Sequence, residues 1–168
     1  SVLDAMQSVM GQLPERGRRE PPAMRVIEEE DCGSYVRRKI TYETEAGSSN
    51  PAYLCIPKPL LDQTNARAPA VLCLHPTDNN VGHDVVVGLG GRENRQYASE
   101  LAERGYVTLA PSYPLLASYQ PDLKSLGWES GTLKAVWDNM RGIDLLQSLS
   151  FVQADAIGAI GHSLGGHN

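Results

Sequence analysis

The sequence predicts an α/β protein, with a mostly parallel sheet that is preceded by an antiparallel hairpin. Three observations lead to this prediction. From about residue 70 onward, apolar runs typical of buried strands alternate with amphipathic helical segments. Before them, two strand-like segments at 34–44 and 52–56 flank a Gly-Ser-Ser-Asn turn. Near the end, the apolar run 156–160 leads directly into a G-x-S-x-G sequence at 161–165.

The composition is that of one globular domain. The chain has 168 residues, of which 41% are hydrophobic and 21% are charged, so it contains enough apolar material for a core. The net charge of −5 argues against a nucleic-acid partner, and no segment is long and apolar enough to span a membrane. The segment Ser1-Val2-Leu3-Asp4 does not resemble a signal peptide, which weakly favours a cytoplasmic location. The oligomeric state stays open.

The three cysteines do not form a recognisable site. Cys32, Cys55 and Cys73 have no regular spacing, so neither a disulfide framework nor a zinc site is predicted. Cys55 and Cys73 lie in strand-like runs and are interpreted as small buried hydrophobes. No metal site is readable elsewhere, and we expect no cofactor.

The N-terminal segment is predicted to stand apart from the main domain. Apolar residues at helical spacing predict a helix over 2–10, which would serve as a packing arm or as a partner-binding helix. The charged stretch 15–22, which ends in two prolines, is interpreted as a surface linker. The acidic run 28–31 is expected to be a solvated turn.

The remaining elements follow in chain order. The sequence predicts a buried strand at 70–74, a long loop at 76–92, a helix at 94–104, a strand at 106–110, an irregular segment at 115–131 and a helix at 132–149. The last helix should bury a stripe formed by Leu133, Val136, Trp137, Met140, Ile143 and Leu146. This order implies crossover connections and parallel strands.

Ser163 occupies the centre of the G-x-S-x-G sequence, between a predicted strand and a predicted helix. A serine that stands clear of a sheet sits on a tight turn, where neighbouring side chains would collide, and Gly161 and Gly165 remove those side chains. The next amide, that of Leu164, would lie at a helix N-terminus, where unpaired N–H groups face outward. Gly166 is expected to let this helix approach the sheet closely.

With these elements placed, the chain resembles the α/β-hydrolase superfamily and, within it, the dienelactone hydrolase and acetyl xylan esterase-like branch of bacterial hydrolases. The narrower resemblance rests on four stretches, which are 69–75, 101–106, 140–144 and 160–168. It implies that 34–168 form the N-terminal portion of an α/β-hydrolase domain, cut off after the turn that holds Ser163. Residues 1–33 would then be an N-terminal helix and linker arm.

The resemblance implies a role for each residue of the site. Ser163 would be the acyl-accepting nucleophile, and the Leu164 N–H would be one donor of the oxyanion hole. The second donor would be the Thr77 N–H, because Pro76 has no N–H. His75 would organise this turn through side-chain hydrogen bonds. The reaction implied is ester hydrolysis through an acyl-enzyme.

The family's catalytic acid and histidine would follow later strands, beyond Asn168. Among the histidines of this chain, His162 should point away from its neighbour Ser163. His167, one turn along the helix after Ser163, should pack against the protein or cap that helix. His83, in the long loop, is the one alternative base that we consider. By default, surface or capping roles are assigned to Asp78, Asp84 and Asp144. We therefore expect these 168 residues to be a fragment of a longer hydrolase and to be inactive alone.

Three functions stay open on the sequence. The first is a serine hydrolase that acts on a small-molecule ester, either of a small acid or of an acetylated sugar. The second is a peptidase or acyltransferase on the same fold. The third is a non-catalytic binding domain. The irregular segment, with Tyr119 and Trp128, would either form a wall of the acyl pocket or pack as a loop.

Overall fold

The computed structural model describes residues 1–13 and 19–168. Of the predicted linker 15–22, residues 15–18 lie outside the described residues. The rest of it is anchored on the body of the protein. The Arg19 guanidinium forms an ion pair with Asp144 at 2.6 Å, and the Glu20 carbonyl accepts a hydrogen bond from Arg141 at 2.8 Å.

A mixed sheet forms the centre of the described structure. Its strands are β1 (Met24–Asp31), β2 (Tyr35–Glu45), β3 (Ser48–Pro57), β4 (Ala68–Leu74), β5 (Val107–Pro111) and β6 (Val152–Gly161). They lie in the order β1-β2-β3-β5-β4-β6. The pairs of β4 with β5 and of β4 with β6 are parallel, whereas β1, β2, β3 and β5 pair antiparallel in succession. The predicted combination of parallel strands with a leading antiparallel hairpin is therefore confirmed, but the described sheet is mixed and not mostly parallel, since three of its five strand pairs are antiparallel.

The sheet begins earlier than the sequence predicted. The acidic run 28–31 is not a turn but the second half of β1, which pairs with β2. The segment 34–44 therefore lies inside the sheet, between β1 and β3, and the boundary drawn at residue 33 separates β1 from the rest of the sheet. Cross-strand ion pairs explain how so acidic a strand is tolerated, because Glu29 and Glu30 face Arg38 and Arg37.

Strand β3 shows how the sheet is covered on both faces. Ala52, Leu54 and Ile56 point to one face, where they pack with Leu145 and Leu146. The alternate residues Tyr53 and Cys55 point to the other face and join a second cluster, as the two-residue period of a strand requires. The core is thus divided into two layers, one on each side of the sheet.

The helices that cover the two layers are named in chain order. They are α1 (Val2–Met10), α2 (Pro59–Asp62), α3 (Tyr97–Glu103), α4 (Gly131–Ser148) and α5 (Leu164–His167), with a 3-10 helix at Gly82–Val87. Helix α4 covers the first layer, while α3 and the 3-10 helix cover the second. The segment 76–92, predicted as an open loop, therefore contains a helix whose residues are largely buried.

Helix α4 buries half of the apolar stripe that was predicted, namely Leu133, Trp137 and Leu146, together with two charged residues. Lys134 and Asp138 are fully buried, whereas Val136, Met140 and Ile143 are only half-buried. The Lys134 ammonium binds the carboxylates of Asp138 and, at 2.8 Å, of Glu45. The other oxygen of Asp138 accepts a hydrogen bond from Asn50 at 3.0 Å. Buried polar groups persist because each one has a partner.

Helix α1 lies on the surface next to α4. Its Ser1 and Asp4 form a capping box, and none of its residues is buried. Met10 packs against the cluster that contains Trp128 and Trp137, which agrees with the interpretation as a packing arm. Among the described residues, no helix has the length and apolar character needed to cross a membrane.

Candidate active site

Ser163 lies on a sharp turn between β6 and α5. Its backbone has φ 55° and ψ −116°, a conformation that residues with a side chain rarely adopt. Strand β6 ends at Gly161 and α5 begins at Leu164, so only two residues separate the strand from the helix. The strand–turn–helix predicted from the sequence is present, and the side chain of its serine is exposed.

Two glycines make this turn sterically possible. A β-carbon at Gly161 would lie 2.1 Å from the carbonyl oxygen of Gly165, and one at Gly165 would lie 2.2 Å from the carbonyl oxygen of Leu74. Gly166, by contrast, has room for a β-carbon at 3.5 Å from the nearest atom. The close approach of the helix to the sheet therefore depends on Gly165 and not, as predicted, on Gly166.

The amide of Leu164 is the first of α5. The following amides, those of Gly165 and Gly166, donate to the carbonyls of His162 and Ser163 at 3.1 and 2.9 Å. The first amides of a helix have no acceptor within the helix. The Leu164 N–H is therefore available beside Ser163, as its predicted role in an oxyanion hole requires.

The turn after β4 is fixed by His75, which is buried. Its Nδ1 donates to the carbonyl of Pro76 at 2.7 Å, and its Nε2 accepts from the Tyr113 amide at 3.0 Å. Burial lowers the pKa of His75, so the ring is neutral at pH 7 and can make both bonds. The expected organising role of His75 agrees with these two hydrogen bonds.

A cavity of about 220 Å³ opens above the two turns. Ser163 and Thr77 both line it, so the structure brings together the predicted nucleophile and the residue of the predicted second donor. The complete lining consists of Pro76, Thr77, Asp78, Val85, Arg92, Arg95, His162 and Ser163. Their roles in catalysis stay predictions.

None of the chain's histidines is hydrogen-bonded to Ser163 in the described structure. His83 does not lie on a mobile loop, as expected, but is buried in the 3-10 helix, with its Nδ1 2.6 Å from Ser112 Oγ. Burial, together with the charges of His75 and Lys39, lowers the pKa of His83 to about 3. His162 lines the cavity, and His167 is exposed on α5. No base for Ser163 is thus identified among them.

The three aspartates occupy different surroundings. Asp78 caps its own turn, because its Oδ1 accepts from the amides of Asn80 and Val81 at 2.9 and 2.8 Å. Asp84 lies 3.9 Å from the His83 ring and is half-buried. The expectation of a surface or capping role is wrong for Asp144, whose largely buried carboxylate pairs with Arg19 and Arg141.

The irregular segment does not reach this cavity. Tyr119 donates a hydrogen bond to the buried Asp138 carboxylate at 3.0 Å, on the other side of the sheet from the 3-10 helix. Trp128 packs against Trp137 and donates to Glu45 at 3.0 Å. For Tyr119 and Trp128, these contacts agree with a packed loop and not with a wall of this cavity.

Arg92 and Arg95 are charged residues of the cavity to which the sequence analysis assigned no role. Both lie between the 3-10 helix and α3, in the connection between β4 and β5. Ligands of α/β proteins bind at the carboxyl ends of the parallel strands. Two arginines in a loop that begins at such an end are therefore a sequence signal for ligand binding. Among the described residues, no group of His, Cys, Asp and Glu side chains could hold a metal ion.

Comparison with solved structures identifies the architecture. A Bacteroides fragilis protein provisionally named an acetyl xylan esterase matches 97% of this chain and 46% of its own, with a TM-score of 0.70 and 22% identity. The acetyl xylan esterase of Paenibacillus sp. R4 matches 98% of this chain and 51% of its own, with a TM-score of 0.62 and 16% identity. The chain has an α/β-hydrolase fold. Within that fold, its structure is similar to acetyl xylan esterases.

Sequence comparison agrees with this assignment. YtaP of Bacillus subtilis, which is provisionally named a hydrolase, is 26% identical over 168 residues, covering 94% of this chain and 54% of YtaP. No family model matches the sequence. The chain spans about half the length of the relatives it matches. The likeness to dienelactone hydrolases stays a prediction.

Proposed function

We propose that this chain is the nucleophile-bearing part of a carboxylic ester hydrolase that acts through an acyl-enzyme on Ser163. The observation that carries the proposal is the backbone of Ser163, held at φ 55° between β6 and α5 on the wall of a cavity. A non-glycine residue is kept in such a conformation only where the surroundings force it, and such sites are frequently functional. The hydrolase and esterase names of its relatives support the same reaction class.

The reaction proceeds in two halves. Ser163 Oγ attacks the ester carbonyl carbon while its proton passes to a histidine, and the carbonyl oxygen becomes an oxyanion. The amides of Leu164 and Thr77 stabilise that charge. The bond between the carbon and the alcohol oxygen then breaks, and the alcohol takes the proton from the histidine. Water repeats the sequence on the acyl-enzyme, which releases the acid and restores Ser163.

The histidine and its carboxylate partner are proposed to lie after Asn168 in a longer chain. Two facts support this part of the proposal: no described histidine is bonded to Ser163, and the relatives are about twice as long. The outer edge of β6 also suits additional strands, because Ile160 is 40% exposed there. Residues 1–168 alone are expected to be inactive.

The first test is labelling of the full-length protein with a fluorophosphonate probe. Labelling should be lost in Ser163→Ala and retained in the control Ser150→Ala, which alters an exposed serine far from the cavity. The isolated segment 1–168 should not be labelled, since it lacks the base that activates the serine. Labelling that persists in Ser163→Ala would refute the proposal.

A second test separates the esterase from a peptidase or an acyltransferase. The full-length protein is assayed on p-nitrophenyl esters, on peptide p-nitroanilides and on esters with an added alcohol acceptor. Hydrolysis of acetyl esters without cleavage of anilides is expected. The names of the acetyl xylan esterases make acetylated sugars the first natural substrates to assay.

A further inference from the structure

The cavity that contains Ser163 carries a local excess of positive charge. Arg92 and Arg95 line it together with a single acidic residue, Asp78. The chain as a whole has a net charge of −5, so a cationic cavity is unlike the rest of the molecule. A cleft lined by one sign of charge concentrates ligands of the opposite sign.

These two arginines also differ from most others in the described structure. The paired guanidinium groups are Arg19 and Arg141 with Asp144, Arg37 with Glu30, Arg38 with Glu29, and Arg104 with Glu100. Among residues 1–13 and 19–168, no carboxylate lies within 4.0 Å of Arg92 or Arg95. Arg95 is half-buried and Arg92 is exposed, so both can bind a group that enters the cavity.

Asp78 does not neutralise the pair. Its Oδ1 already accepts hydrogen bonds from two backbone amides, at 2.9 and 2.8 Å, which lower the pKa of its carboxyl group. Its charge is therefore partly compensated by those N–H dipoles, and its orientation is fixed by the turn. Within residues 1–13 and 19–168, no carboxylate therefore competes with an incoming anion for either guanidinium group.

We propose that Arg92 and Arg95 bind an anionic group of the substrate, so that the ester cleaved at Ser163 carries a carboxylate or a phosphate. The inference rests on the proposed function, because it names the substrate class of the same site. A guanidinium presents donors in a planar fork that fits either oxyanion. The anion would hold the ester with its carbonyl against Ser163.

Matched pairs of esters test this selectivity in the full-length protein. On the acyl side, 4-nitrophenyl hemisuccinate is compared with its methyl ester. On the alcohol side, 4-acetoxybenzoate is compared with its methyl ester, and 4-acetoxyphenyl phosphate distinguishes phosphate from carboxylate. In at least one pair the anionic member should have a kcat/KM about 10- to 100-fold higher, as expected for hydrogen bonds to a charged group.

Charge-removing variants assign the preference to the two arginines. Arg92→Gln and Arg95→Gln should each reduce the ratio of anionic to neutral kcat/KM, and the double variant should bring it near one. Arg67→Gln is the matched control, since Arg67 is exposed and lies outside the cavity. It should leave the ratio unchanged. The preference should also weaken as the salt concentration rises.

A binding experiment separates failure of this inference from failure of the proposed function. Ser163→Ala protein is titrated calorimetrically with monomethyl succinate, 4-acetoxybenzoate and 4-acetoxyphenyl phosphate. Binding of one of them that disappears in the Arg92→Gln/Arg95→Gln background supports the inference even if no ester is cleaved. Cleavage of neutral and anionic esters at equal kcat/KM, with binding unaffected by the double variant, overturns the inference and leaves the esterase proposal standing.

Discussion

A β-carbon added to Gly165 would lie 2.2 Å from the carbonyl oxygen of Leu74. The first turn of α5 therefore rests directly on the end of β4. The same carbonyl accepts a hydrogen bond from the hydroxyl of Tyr97. The position of Ser163 thus depends on the packing of α5 against the end of β4, where Tyr97 of α3 also binds, and not on the local turn alone.

The first prediction concerns this contact. Gly165→Ala should destabilise the full-length protein by about 3 kcal/mol, because backbone atoms must move to accept the methyl group. Gly166→Ala is the matched control, since its β-carbon would be 3.5 Å from the nearest atom. Thermal unfolding measures both. Equal midpoints for the two variants would contradict the steric argument.

The second prediction uses the strain at Ser163. The free energy of unfolding of Ser163→Gly should exceed that of Ser163→Ala by about 1 kcal/mol or more. Glycine adopts φ 55° without steric strain, whereas alanine does not. Both variants lack the hydroxyl, so the comparison isolates the backbone. Urea unfolding gives the difference. If alanine were the more stable of the two, the backbone at this position would not be strained.

The third prediction concerns the buried lysine of α4. Lys134→Met should destabilise the protein by about 3–5 kcal/mol, because the carboxylate of Asp138 would lose its buried counter-charge. Lys124→Met, at an exposed lysine, should change stability by no more than about 0.5 kcal/mol. Adding Asp138→Asn to Lys134→Met should cost less than the sum of the two single changes. Strict additivity would show that the two groups are not coupled.

The fourth prediction concerns acid stability. The pKa of His83 is about 3 in the folded protein and near its ordinary 6.5 when unfolded, so between these values the unfolded state binds more protons. The stability due to His83 is therefore complete above pH 6.5 and is lost as the pH falls toward 3. One such proton contributes up to about 1.4 kcal/mol per pH unit.

His83→Asn tests this contribution. Chemical unfolding between pH 4 and 6.5 should show a shallower loss of stability in the variant than in the natural protein. Part of the slope should remain, because burial lowers the pKa of His75 as well. His167→Asn, at an exposed histidine, is the control and should keep the natural slope. An unchanged slope in His83→Asn would refute the assignment.

Much of the candidate site could be predicted from local sequence. The apolar run before Gly161, the glycine spacing around Ser163 and the proline after His75 are short-range signals, and each corresponds to a feature of the structure. Steric exclusion within a few residues dictates such turns, so they can be predicted without knowledge of the fold. The alternation of strand-like and helical segments likewise predicted the α/β fold class.

Other features depend on partners that are distant in the chain. Glu45 and Lys134 meet across 89 positions, and this contact gives the buried Lys134 of α4 a partner that the apolar stripe of the helix does not reveal. His83 appeared to be a loop residue, but it is buried beside Tyr53 once the 3-10 helix packs on the sheet. No local pattern encodes these contacts.

The sequence by itself determined the strand–turn–helix around Ser163 and the α/β class, because sterics and hydrophobic periodicity act within a few residues. The tertiary structure alone decided which charged side chains share the cavity with that serine. Arg92 and Arg95 lie about 70 residues before Ser163 in the chain, and they reach its cavity because β4 and β6 are parallel neighbours. Pairing between distant strands, which local sequence does not specify, brought them there.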